Sequence, residues 1–224
     1  MSITIDGKPP VAAGTIRSVA AGRGLDWITE GWALFLRAPG PWVALVLLVV
    51  VVSLICNAVP VLGSLLSPFV STLLSAGALL AARNLQQTGT LQVADAFAIL
   101  QHPALKPVLI VAGIYFGLIL VAGMSFGAVV FGAGGLGVLM GAMDGDTAAL
   151  AGGALGVALG ALVMLALMVP ITAMYWFAIP AVVFGGAEPW SAMKQSLAAC
   201  LANLVPLLVY GVIGLIALSL GAIP

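Results

Sequence analysis

The sequence predicts an all-α fold: a polytopic transmembrane helical bundle of about five spans with three amphipathic interfacial helices. Three observations predict it. Hydrophobic residues make up 63% of the chain and charged residues 6%, with a mean hydropathy of +1.27, whereas soluble domains carry roughly 25% charged residues. The charges fall into a few clusters, Asp6 to Arg37, Arg83 to Lys106, Asp144 with Asp146, and Glu188 with Lys194, leaving long uncharged segments between them. A pattern of mixed helix, proline bend and apolar segment recurs three times.

The uncharged run 38–82 is far longer than the ~20 residues that cross a bilayer core of ~30 Å, so it crosses twice. Pro60 and Gly63 mark the turn, with spans near 41–58 and 62–82. Two further spans fall near 107–131 and 154–183. The glycine-rich stretch 132–153 between them reads as a connection. The remaining length has room for one crossing, near 204–223. With these five spans every Lys and Arg, from Lys8 to Lys194, falls on one side and the Asp144/Asp146 pair on the other. Basic residues near span ends favour the cytoplasmic face, which predicts a bacterial inner-membrane protein with its N-terminus inside and its C-terminus in the periplasm. Residues 1–24 lack the apolar core of a signal peptide and read as a disordered cytoplasmic arm. Residues 25–224 read as a single integral membrane domain.

The interfacial helices are predicted near 25–38, 91–101 and 188–200. In the first, Leu25, Ile28, Trp32, Phe35 and Leu36 share one face, while Asp26, Thr29, Glu30 and Arg37 gather on the other. Pro39, Gly40 and Pro41 then turn the chain into the bilayer. Val93, Phe97 and Leu100 take the helical spacing in the second copy, ahead of Pro103 and Pro107. Trp190, Met193, Leu197 and Leu201 take it in the third, ahead of Pro206. Trp27, Trp32, Trp42 and Trp190 are the expected interfacial anchors, since indoles suit the headgroup level. The first two copies each continue as a membrane hairpin and the third holds one span. The repeat therefore predicts a six-span plan lacking its last helix here.

GWALFLRAPGPW, PVLGSLLSPFVSTLLSAGALLAAR, YWFAIPAVVF and AMKQSLAACLANLVPLLVYG together resemble an uncharacterised family of proteobacterial inner-membrane proteins. More distantly, the layout is similar to the membrane domain of some bacterial glycerophosphodiester phosphodiesterases. The resemblance covers residues 25–224 and implies an inner-membrane helical bundle with six spans as the usual number. It implies no catalytic residue.

No ionisable residue is expected at membrane depth, which argues against a pump built on a buried carboxylate. The neutral polar residues Asn57, Tyr115 and Tyr175 are the candidates for a solute path, with hydrogen bonding between helices as the competing reading. Gly123 with Gly127 and Gly156 with Gly160 are expected to pack the third and fourth spans together, with a homo-oligomer contact as the alternative. Pro68, Pro170 and Pro180 are candidate kink positions. His102 has no partner at metal-ligand spacing, and Asp144-Gly145-Asp146 is too short for a calcium loop. Cys56 and Cys200 read as buried thiols whose depths disfavour a disulfide. With neutral net charge and no basic run, nucleic acid is not an expected partner. Catalytic, cofactor and metal sites are not predicted. The expected role is that of a structural or accessory membrane subunit or scaffold, in contact with the bilayer and with a membrane protein partner or a second copy. The alternative is a channel or transporter for a neutral or lipidic solute.

Overall fold

The computed structural model describes residues 16–132 and 141–221, which are helical throughout apart from short connections. Helix α1 (Arg23–Arg37) ends at Ala38, and α2 (Pro39–Ala58) starts with proline at its first position, where the missing N–H costs nothing. A tight turn through Val61 leads to α3 (Leu62–Thr88), which closes on left-handed Gly89. A 3₁₀ helix (Val93–Gln101) follows, then α4 (Leu105–Gly132) and α5 (Thr147–Trp176). The chain continues as α6 (Ala178–Gly185), α7 (Pro189–Ala202) and α8 (Leu204–Gly221). Four stretches are long and apolar enough to cross a membrane: α2, α3, α4 and the 39 residues of α5 with α6. A fifth results if α7 and α8, bent by 84° at Asn203, count as one.

The core has two parts, and the 3₁₀ helix is wedged between them. Ile99 packs with Val108, Val111, Ile179, Val182 and Met193, joining α3, α4, α6 and α7. Ala96 packs with Leu45, Ala81, Leu85 and Leu91, joining α2 and α3. The wedge seats closely because Gly77 on α3 has no Cβ; one built there would strike the backbone carbonyl of Ala96. The bundle covers other residues of this segment than the predicted apolar stripe. Ala96 and Ile99 are buried, whereas Phe97 and Leu100 are 46% and 52% exposed. A 3₁₀ helix repeats every three residues, so Val93, Ala96 and Ile99 line up in place of a 3.6-residue stripe.

In the third segment the predicted stripe is divided. Helix α7 buries Pro189, Ala192, Met193, Ser196 and Cys200, while Trp190 and Leu201 face outward. Small residues let α7 lie close on the bundle. In α1, by contrast, Leu25, Trp32 and Leu36 form an exposed apolar stripe, and the Arg23 guanidinium pairs with Asp26 at 3.1 Å and Glu30 at 3.0 Å on the polar side. Glu30 first, then Asp26, raises the pKa of that guanidinium. Arg17 and Val19, within the stretch expected to be a disordered arm, are held by Asn203 at the α7–α8 bend. Its amide donates to the Arg17 carbonyl at 2.9 Å, and its Oδ1 accepts from the Val19 N–H at 2.8 Å. Residues 1–15 lie outside the described residues.

Helices α4 and α5 form the most extensive pair. Helix α5 begins at Thr147, seven residues before the expected 154, because Asp146 caps it, accepting from Ala148 and Ala149. Most of the expected connection that falls among the described residues is therefore helix. Of the four glycines expected in the α4–α5 contact, Gly156 and Gly160 are buried. A Cβ on Gly160 would meet Val130 Cγ2 at 2.6 Å and the Phe126 ring at 3.2 Å. Gly123 and Gly127 have open space around them, so α4 contributes Phe126 and Val130 as the knobs that fill the α5 hollow. A Gly160→Leu protein is expected to lose about 1–3 kcal/mol of stability by overpacking, while Gly123→Ala is neutral or slightly stabilising; thermal unfolding in detergent checks both.

Candidate functional site

The most polar part of the bundle interior lies where α3, α4 and α5 meet. Thr72 on α3 is buried, and its hydroxyl lies 2.6 Å from the Pro68 carbonyl and 2.9 Å from the Tyr175 hydroxyl. A threonine hydroxyl has one proton. It is donated to Pro68, so Tyr175 donates to Thr72 and keeps its own lone pairs free to accept. The Tyr175 ring stacks on Tyr115 with centroids 4.2 Å apart. The structure thus brings together two of the three residues expected on a solute path. Asn57 is elsewhere, exposed at the end of α2, donating to the Ser53 carbonyl at 2.7 Å.

Just beyond Tyr175 the helix breaks, and sequence reasoning missed the residue responsible. In an unbroken helix the Phe177 N–H would donate to the Ala173 carbonyl. Here the Ser196 hydroxyl from α7 is inserted in that rung, accepting from Phe177 at 2.8 Å and donating to Ala173 at 2.6 Å. Ser196 is 2% exposed, so both backbone groups are satisfied without water. Pro180, a candidate kink position, lies three residues past the break; Pro68 and Pro170 sit inside unbroken helices. The available signal was the row of small residues Ala192, Ser196 and Cys200 at helical spacing.

Trp176, at the end of α5, stands between two apolar recesses. One, of about 380 Å³, separates α5 from α8 and is lined by Met168, Thr172, Cys200, Leu207 and Tyr210. The other, of about 470 Å³, lies between α2, α3 and the α5–α6 break, lined by Trp42, Ser75, Leu79, Tyr175 and Pro180. The Trp42 indole N–H is buried with no hydrogen-bond acceptor among the described residues, a state that costs on the order of 1–3 kcal/mol. At the end of the α3 wall of this recess, the Arg83 guanidinium sits 5.0 Å above the Phe184 ring.

The remaining expected anchors differ in their surroundings. Trp27 packs edge-on against Tyr210 at 6.3 Å, Trp32 stacks on Phe35 at 5.2 Å with 61% exposure, and Trp190 is exposed. His102 Nδ1 accepts from the Ala104 N–H at 3.1 Å, a turn contact. Cys56 and Cys200 are free thiols. Among the described residues, His, Cys, Asp and Glu nowhere gather in a group that could hold a metal ion. Chemically the arrangement offers hydrogen-bonding hydroxyls, an indole donor, one stacked cation and apolar walls.

Ser196→Ala is expected to destabilise the protein by about 1–3 kcal/mol, since it takes the hydroxyl acceptor from the Phe177 N–H and leaves the Ala173 carbonyl with only the Cys200 thiol at 3.5 Å. Tyr175→Phe, which leaves only Thr72 without its donor, is expected to cost about 1 kcal/mol. Detergent-resistant thermal midpoints of the two variants and the parent check the order. No family model, curated protein or solved structure matches the chain, so any reading of its function rests on these residues alone.

Proposed function

We propose that the protein is a non-catalytic accessory or scaffold subunit of a bacterial inner membrane, with its N-terminus in the cytoplasm and α1 lying in the interface. The observation that carries this reading is a filled centre beside a half-covered periphery. Ala76, Val108, Val111, Ala178 and Met193 close the middle of the bundle. Several hydroxyls outside the recesses are engaged by carbonyls of their own helix, as in Ser53 to Val49 at 2.7 Å, Ser125 to Val121 at 2.8 Å and Ser219 to Leu215 at 2.8 Å. Among the described residues, the side chains with hydrogen-bonding capacity left gather at the two recesses beside Trp176 instead of running through the filled centre. Helix α8, by contrast, packs chiefly against α1, where Gly24 lets the Pro206 carbonyl and Tyr210 backbone approach. Its Leu208, Val212, Leu215 and Ile216 are all more than half exposed. Such a face accepts lipid or the helix of a partner membrane protein.

The second reading, passage of a neutral or lipidic solute, is favoured by the two recesses beside Trp176. In native membranes, a cysteine at Val212 in a background without Cys56 and Cys200 is expected to cross-link α8 to a second polypeptide. Absence of any cross-linked species, combined with glycerol uptake by proteoliposomes above that of empty vesicles, would reverse the ranking. For orientation, Asp144→Cys in the same background is expected to react with impermeant maleimide added from the periplasmic side; labelling only after the cytoplasmic side is opened would invert the topology.

A further inference from the structure

We infer that the recess between α2, α3 and the α5–α6 break is a binding site for an anionic phospholipid, its phosphate on Arg83 and an acyl chain along the recess. The inference is independent of which partner α8 meets. Three observations carry it. Ser75, Leu79 and Arg83 are spaced by four along α3, and Pro180 and Phe184 are spaced by four along α6. Residues four apart on a helix share a face. Ser75, Leu79 and Pro180 line the recess, as does Ala82 next to Arg83, so both of its walls run outward into the Arg83–Phe184 pair. The guanidinium therefore caps one end of an apolar slot.

Arg83 has no carboxylate partner among the described residues, where Arg23 alone forms ion pairs. Asp95 and Glu188, the acidic residues nearest in sequence to Arg83 and Phe184, are engaged elsewhere. Asp95 bonds Asn84 at 3.1 Å and the Gln92 N–H at 2.9 Å, and Glu188 caps α7. Stacking on Phe184 fixes the cation while leaving donors of its planar fork for phosphate oxygens.

The depths agree with the order of groups in a phospholipid. Trp42 and Ala78 line the same recess, and Ala78 lies five residues before Arg83, about 7 Å deeper along α3. The unpaired Trp42 N–H, once the indole turns into the recess, donates to an ester carbonyl, which in a phospholipid lies just below the phosphate. Deeper still, Ser75 and Tyr175 border the chain. A volume of about 470 Å³ lies within the roughly 300–1,000 Å³ of small-molecule sites, and the apolar lining excludes a free hydrated phosphate from all but the mouth.

The test uses the intact protein in phosphatidylcholine vesicles containing a minor fraction of acyl-brominated lipid, which quenches tryptophan on contact. Brominated phosphatidylglycerol is expected to quench more than the same fraction of brominated phosphatidylcholine, with the excess lost when Trp42 and Trp176 are both replaced by Phe. Arg83→Gln is expected to lower the preference for phosphatidylglycerol about tenfold, the equivalent of one charge-assisted contact of about 1.4 kcal/mol. Arg83→Lys is expected to retain most of the preference. Ala78→Leu, which fills the recess and leaves the cation in place, is expected to lose it. Lys194→Gln, at a basic residue that lines neither recess, is expected to keep the parent preference. Equal quenching by the two lipids in the parent would overturn the site. So would an undiminished preference in both Arg83→Gln and Ala78→Leu, or abolition of the excess by millimolar inorganic phosphate, which would mark a free-anion site.

Discussion

The rung that Ser196 completes is the contact on which the geometry of this bundle depends. Within hydrocarbon a backbone N–H or carbonyl without a partner costs several kcal/mol, so a helix cannot break at depth unless something replaces the lost bond. The α5–α6 break at Phe177 is tolerated because a hydroxyl from another helix accepts from Phe177 and donates to Ala173. One side chain thereby allows the break and fixes α7 against it. The break in turn sets Trp176 between the two recesses, and the docked α7 sets where the 84° bend into α8 begins. Asn203 plays a related part at that bend, where its amide donates to the Ala199 carbonyl at 2.9 Å and ties down Arg17 and Val19.

Missing Cβ atoms supply the second constraint. Lipid offers helices little hydrophobic reason to associate, so close backbone approach and dispersion contacts do much of that work. Gly77 receives the 3₁₀ helix, Gly160 receives Phe126 and Val130, and Gly24 receives the start of α8. In each case the small residue lies on one element and the bulk or backbone of another fills the space. The pairs of glycines four apart on α4 and α5 look alike in sequence, yet only the α5 pair is buried. A hollow needs a knob, and two facing hollows would leave a void.

This contrast shows how much was legible in the sequence. Span number and position follow from apolar length, a one-dimensional quantity, and α2, α3 and α4 start and end within a few residues of the expected places apart from an extra two turns at the end of α3. Facing is a different matter. The 3.6-residue period grouped Val93, Phe97 and Leu100 on one face, but the backbone there is wound to three residues per turn, so Ala96 and Ile99 meet the bundle, with Ala96 seated on Gly77. In α7 the bulky stripe of Trp190 and Leu201 faces out because Ser196 and Cys200 face the break. Start of α5 at Thr147 was obscured because glycine and alanine alternate there, and the deciding feature is one cap, Asp146. Tyr115 and Tyr175 stand out in the sequence as polar residues within spans, but their stacking and the role of Thr72 depend on distances between helices.

Polar economy then limits what the molecule can do. A hydroxyl that bonds the carbonyl four residues earlier in its own helix needs no water and offers little to a solute. Ser53, Ser125 and Ser219 are all in that state. Groups with hydrogen-bonding capacity left are gathered at the two recesses, the Trp42 N–H, the Ser75 hydroxyl and the Tyr175 lone pairs at one and the Thr172 and Tyr210 hydroxyls at the other. A conducting path would need such groups in series from one face to the other. A binding slot needs only a few, close together, with apolar walls and a charge at its mouth. The distribution found here, grouped at recesses and not strung from face to face, is the one that the proposed lipid slot needs.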